Sequence, residues 1–208
     1  MYKNKKILLI AGGGTLGTHT GRELLRVGAE VEVICPEEKV SDHENLRFHQ
    51  TLATDEFLTQ LFSENHYDAI VNFIHYPDPA EYRRVYPMLI AACDQLVFLS
   101  SYRVYADEVH PVTEDAPRLY DVLKDEEFLA HDAYAVPKSK CEDFLRTECA
   151  GDPWTIVRPV IWMWNYDRKF DRQIDASHVL EVTGLGAGDF RSVRDGILYE
   201  VERIRAAR

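Results

Sequence analysis

The chain has 208 residues, room for one well-packed α/β domain with a small appendage rather than for two full domains. Its 24 basic residues against 35 acidic ones leave a formal net charge of −11, and no basic patch is evident in their order, which argues against a nucleic-acid surface. No apolar segment reaches membrane-spanning length, and neither the four scattered cysteines nor the eight histidines have ligand spacing. These features lead to the expectation of a cytoplasmic protein with reduced thiols and no bound metal.

Lys6 to Ile10 is an apolar run suited to a buried strand, and helical spacing begins at Leu16 and continues through Leu24, Leu25 and Val27. Between them lies Gly12-x-Gly14-x-x-Gly17. Glycines are needed there because a pyrophosphate must approach the backbone closely at a helix N-terminus, where free N–H groups favour negative charge. Val31 to Ile34 reads as a second strand, followed by Cys35-Pro36-Glu37-Glu38-Lys39. Glu37 could reach an adenosine ribose and Lys39 a phosphate on it, or both could belong to an exposed charged turn; the balance favours NAD over NADP only slightly.

Leu46 to His49 is a third strand, and Thr54 caps a helix with Phe57, Leu58, Leu61 and Phe62 on one face. Ala69 to Ile74 is a fourth, buried strand with His75 at its end. Asp78-Pro79 opens a helix lined by Tyr82, Val85, Leu89 and Ala92, in which Pro87 predicts a kink. Gln95 to Leu99 is a fifth strand ending in Ser100-Ser101. Val109 to Asp132, rich in Pro, Asp and Glu, reads as a long surface loop. A helix from about Ala133 to Cys149, a strand from Trp154 to Arg158 and an amphipathic helix from Ser192 to about Ala206 complete the pattern. Alternating strands and helices predict a Rossmann-type, doubly wound parallel sheet with helices on both faces over residues 1–160, and a reduced C-terminal appendage over 161–208 packed on the same domain.

Three tyrosines are followed four residues later by lysine: Tyr2/Lys6, Tyr120/Lys124 and Tyr134/Lys138. The spacing alone says little, but Tyr134 opens a helix that carries Lys138 one turn on along the same face. A phenol in water titrates near 10, so acid/base work at pH 7 requires about 4 kcal/mol in favour of the phenolate. A lysine ammonium and an oxidised nicotinamide could share that task, with Ser101 holding the substrate oxygen.

These segments resemble the extended short-chain dehydrogenase/reductases of the NAD-dependent epimerase/dehydratase group. The resemblance rests on the glycine loop, Phe98-Leu-Ser-Ser-Tyr-Arg-Val-Tyr105, Pro111 to Pro117, Tyr134-Ala-Val-Pro-Lys138 with Glu142, and Thr155-Ile-Val-Arg-Pro159. It implies Ser101, Tyr134 and Lys138 as catalytic residues. It also implies a dinucleotide held by Ala11, Gly12, Gly14, Thr15, Leu16, Gly17, Glu37, Ile74, His75, Tyr134 and Lys138. The implied partners are a small-molecule substrate, often a nucleotide sugar, and a second copy of the chain through helices around 79–94 and 133–149.

Several positions depart from the family pattern. Ala11 stands where a first glycine is common, and Gln50-Thr51 replaces the usual acid after the third strand. Only a short stretch containing Trp162, Trp164 and Tyr166 separates Pro159 from the closing Gly184 to Leu198 segment. The expected function is therefore an NAD(P)-dependent oxidoreductase, epimerase or dehydratase, with a dinucleotide-binding regulator or scaffold on the same fold as the alternative.

Overall fold

The computed structural model describes residues 2–106 and 112–159. Two compact units divide the chain, residues 1–106 with 117–165 and residues 107–116 with 166–208. The sheet and all the described helices belong to the first. Of the second, residues 112–116 are described, and within them the Ala116 N–H donates to the Thr113 carbonyl (3.1 Å). The expected closing helix from Ser192 and the appendage over 161–208 lie outside the described residues.

Six strands form one sheet: β1 (Lys6–Ile10), β2 (Glu30–Cys35), β3 (Leu46–Gln50), β4 (Ala69–Asn72), β5 (Leu96–Leu99) and β6 (Trp154–Val157). All neighbours pair in parallel, in the order β3-β2-β1-β4-β5-β6. Parallel pairing sends every strand's C-terminal end to one edge, and the order reverses between β1 and β4, the crevice where ligands of such sheets bind. This is the doubly wound Rossmann sheet expected from the alternation.

The two-residue period of a strand decides which helix each side chain meets. Ile7, Leu9, Val31 and Val33 pack with Leu24 and Leu25 of α1 (Thr15–Arg26). Leu8, Ile10, Ile34, Ile70, Leu96 and Phe98 point the other way. They meet α2 (Asp55–Glu64) through Leu58 and Leu61, and α3 (Pro79–Ala91) through Tyr82, Val85 and Leu89. Each such side chain contributes about 1.5–3 kcal/mol by leaving water. Tyr82 lies at the centre of this layer, its ring 4.7 Å from that of Phe98 and 6.0 Å from that of Phe144.

The helix starts follow their capping residues. Thr54 accepts from the Phe57 N–H (3.3 Å) and Asp78 from the Ala80 N–H (2.9 Å). The helix α3 continues through Pro87 to Ala91. The acidic segment read as one long loop contains two short helices, α4 (Leu119–Val122) and α5 (Glu126–His131). Single turns of this kind are too short to leave an apolar period in the sequence. Asp132 then begins α6 (Ala135–Glu148), its Oδ1 accepting from the N–H groups of Tyr134 (2.8 Å), Ala135 (2.5 Å) and Val136 (3.3 Å). That cap fixes where Tyr134 and Lys138 stand. Among the described residues no helix is long and apolar enough to cross a membrane.

Candidate active site

The turn from β1 into α1 is built around contacts that only glycine permits. A Cβ on Gly17 would lie 2.3 Å from the Gly12 carbonyl oxygen, and one on Gly12 would lie 2.8 Å from Leu9 Cβ. A Cβ on Gly14, by contrast, would meet nothing within 4 Å, so open space faces the loop at the residue that caps α1. Gly14 brings no side-chain cap and the first turn, with Thr15 and Leu16, holds no acidic residue. The helix N–H groups and the positive end of its dipole are thus left for an anion. Ala11 adopts φ +57°, the left-handed conformation for which glycine is suited, at a cost of about 1 kcal/mol. It performs with a methyl group what the more common glycine would do there.

Glu37 and Lys39 both reach this turn. A Cβ on Gly13 would lie 2.5 Å from Glu37 Oε2, which places the carboxylate directly against the loop. Lys39 Nζ donates to the Gly13 carbonyl. A cavity of about 310 Å³ lies alongside, lined by residues that include Gly12, Gly17, Thr18, Val33, Lys39 and Phe48.

At the ends of β4 and β5 the second group of expected residues comes together. Asn72 accepts from the Ile74 N–H (3.0 Å) and donates to the Tyr76 hydroxyl (2.9 Å), fixing the bend that presents Ile74 and His75. The His75 ring lies 5.0 Å from that of Tyr134, and its Nε2 bonds the Ala133 carbonyl (2.9 Å). Lys138 is 3 % exposed; its Nζ donates to the Leu99 carbonyl at the end of β5 (2.6 Å) and stands 5.6 Å from the centre of the Tyr134 ring. Burial pulls its ammonium down to about 8. Ser101 caps a short 3₁₀ turn, Tyr102–Val104, by accepting from the Arg103 N–H (3.3 Å), and the Arg103 guanidinium lies 5.1 Å from the Tyr134 ring centre.

The other two tyrosine–lysine pairs are elsewhere. Lys6 is held by Glu32 (2.9 Å) and Asn65 (2.6 Å) at the start of β1, the far edge from the glycine turn. Tyr120 lies in α4 beneath Lys140, 5.7 Å from its ring centre.

A buried ion pair supports the Tyr134 helix. Glu142, with no exposed surface, accepts from Arg158 Nε (2.9 Å) and Nη2 (2.6 Å), while Arg158 Nη1 donates to the Tyr105 hydroxyl (2.6 Å). Arg118 approaches the same carboxylate at 3.6 Å and pairs with Asp143 at 2.7 Å. Sequence reasoning noticed Glu142 and Arg158 within motifs but not their pairing, and it gave no role to Arg118 or Arg103.

The geometry fits a dinucleotide on two independent counts. The glycine cradle admits a close backbone approach at Gly14. At the ends of β4 and β5, His75 Nδ1 and the Ser100 hydroxyl are buried without a hydrogen-bond partner among the described residues, leaving polar atoms for a ligand laid across that edge.

Comparison with known proteins agrees. The family described as "Putative NAD(P)-binding" matches residues 2–100. A UDP-glucose 4-epimerase of Neisseria meningitidis serogroup B is 30 % identical over 141 residues, covering 54 % of this chain and 42 % of the relative. One from serogroup A is 29 % identical over 182 residues, covering 74 % of this chain and 51 % of the relative. The chain spans about half the length of these relatives or less. Among solved structures, the Bordetella bronchiseptica enzyme WbmH in complex with NAD+ is similar at 25 % identity and a TM-score of 0.55, over 76 % of this chain and 56 % of that one. The matched NAD(P)-binding segment includes the glycine turn, and the two together support NAD or NADP as the cofactor.

Proposed function

We propose that the chain is an extended short-chain dehydrogenase/reductase of the NAD-dependent epimerase and dehydratase group, a reading that the matched NAD(P)-binding segment and the epimerase relatives support, and that it oxidises and reduces an alcohol carbon of a nucleotide sugar at a Ser101–Tyr134–Lys138 site. The observation that carries the proposal is the buried Lys138 ammonium set between the Leu99 carbonyl and the Tyr134 ring at the C-terminal edge of the sheet. NAD, when bound, accepts and returns a hydride.

The chain's own residues manage the proton and the orientation. Tyr134 takes the proton of the substrate hydroxyl as a general base and returns it as a general acid. The Lys138 ammonium offsets the charge left on the phenolate and has N–H groups to spare for a ribose hydroxyl, since the Leu99 carbonyl engages one. The Ser101 hydroxyl holds the substrate oxygen whose charge changes during the reaction. Thr15, Leu16 and Gly17 present backbone N–H groups to the pyrophosphate, with Ala11, Gly12 and Gly14 shaping the turn; Ile74 and His75 border the middle of the cofactor.

Glu37 supports NAD over NADP, because a carboxylate against Gly13 suits ribose hydroxyls and repels a ribose phosphate. We place a homodimer contact on α3 and α6, which pack side by side through Tyr86 and Phe144.

Calorimetry with NAD+ and NADP+ on the purified chain, followed by turnover assays with UDP-glucose and UDP-galactose, tests the proposal. Tighter binding of NAD+ is expected, with turnover that Tyr134→Phe reduces by about 100- to 10,000-fold while cofactor binding persists. Cofactor binding without turnover of any nucleotide sugar would overturn the enzyme reading in favour of a dinucleotide-binding regulator.

A further inference from the structure

Tyr134 stands at the N-cap of α6, with φ −126° and ψ −62°, outside the helix itself. The Asp132 carboxylate fixes its backbone there, but not its ring. A side chain within a helix lies over the turn that precedes it, and at the N-cap no such turn exists. What meets the ring instead is His75, from the end of β4, with ring centres 5.0 Å apart and planes inclined at 35°. The same imidazole bonds the Ala133 carbonyl through Nε2 (2.9 Å), so one side chain engages two consecutive residues. A carbonyl only accepts, so Nε2 carries the hydrogen, and Nδ1, buried and unpartnered among the described residues, is a bare acceptor. That bond gives the imidazole a single orientation.

A group that positions another must itself be held, and His75 is held from both sides along the chain. Asn72 accepts from the N–H of Ile74 before it (3.0 Å) and donates to the hydroxyl of Tyr76 after it (2.9 Å), while the buried Tyr76 ring lies 5.1 Å from that of Tyr82 in the core. We propose that His75 is a positioning residue for Tyr134: anchored at the end of β4, it holds the phenol ring in the attitude from which its hydroxyl exchanges a proton with the substrate. This rests on the reading of Tyr134 as the proton-handling residue given above. Proton transfer needs its heavy atoms within about 2.6–3.2 Å, and a displacement of about 1 Å can cost about 100-fold in rate. Holding the ring therefore acts on the chemical step rather than on substrate affinity. The ring face of His75 carries more of this than its Nε2 bond, because the backbone beside Ala133 is already tied by three N–H groups to Asp132.

The test measures kcat and KM for UDP-glucose at saturating NAD+ in the full chain and in His75→Ala, His75→Phe and His75→Gln, with thermal melts to establish that each variant folds. Saturation removes any loss of cofactor affinity from the comparison. His75→Ala is expected to lower kcat about 10- to 100-fold while KM changes by less than about threefold. His75→Phe, which keeps a ring against the phenol, should recover more of that loss than His75→Gln, which keeps only a donor for the Ala133 carbonyl. A second readout does not depend on turnover. In chain labelled with ring-carbon-13 tyrosine, the Tyr134 ring-proton resonances, assigned by their absence in Tyr134→Phe, should move toward those of free tyrosine in His75→Ala and part of the way back in His75→Phe. A kcat in His75→Ala within about twofold of the unsubstituted chain, a loss carried by KM alone, fuller recovery in His75→Gln than in His75→Phe, or unmoved Tyr134 resonances would overturn the proposal. An unsubstituted chain that binds NAD+ and turns over no nucleotide sugar fails at the earlier reading, and the Tyr134 resonances then still decide whether His75 holds the ring.

Discussion

Burial brings the Lys138 ammonium from its ordinary value of 10.5 down to about 8, against the smaller upward pull of Cys141 and Glu142. Below pH 8 the folded chain carries the cost of a buried cation. Between about pH 8 and 10.5 the unfolded chain holds the extra proton, so this group makes stability rise with pH across that window, by up to about 3 kcal/mol. Lys138→Met is therefore expected to be about 1–3 kcal/mol more stable at pH 7 and to lose that rise, while turnover disappears. Urea titrations at pH 7 and pH 10 check both statements, and a variant less stable at pH 7 would contradict them. In the unsubstituted protein turnover should decline as pH passes 8, because the ammonium beside Tyr134 is then lost. Lys138 was legible in the sequence because a helical turn fixes its relation to Tyr134. Arg103 was not, because its relation to Tyr134 depends on the end of β5 meeting the start of α6, which no local pattern records.

The helix α6 is held in place from behind by Glu142, which joins it through Arg158 to the segment following β6 and through Arg158 to Tyr105 beyond the 3₁₀ turn. This network joins α6, which carries Lys138 and begins after Tyr134, to the end of the turn that Ser101 caps. Removing one member strands a buried charge, so Glu142→Ala should destabilise the fold by about 3–5 kcal/mol. It should also lower turnover in whatever fraction remains folded. Chemical denaturation measures the first effect; a loss below 1 kcal/mol, the scale of an exposed pair, would contradict the assignment. Long elements were legible in the sequence through their caps and apolar periods, as with Thr54 and α2. The helices α4 and α5 were not, since four and six residues give no period to detect.

The strand order β3-β2-β1-β4-β5-β6 unites two stretches of sequence that read separately. The glycine turn follows β1, while Ser101 follows β5 and Lys138 of α6 reaches the Leu99 carbonyl at the end of β5, with β4 between the two strands. The expected parallel sheet with helices on both faces supplies that arrangement, and His75 at the end of β4 bridges toward Tyr134. The pairing of a local glycine signal with a local Tyr-x-x-x-Lys signal was legible; their common edge followed only from the alternation of strands and helices. The most direct measurement is a crystal structure of the chain with NAD+. The account predicts the pyrophosphate at Gly14, the adenosine ribose beside Glu37, and the nicotinamide ring within about 4 Å of the Tyr134 hydroxyl or separated from it only by the substrate oxygen. A dinucleotide seated away from the glycine turn, or one whose nicotinamide points away from Tyr134 and Lys138, would contradict it.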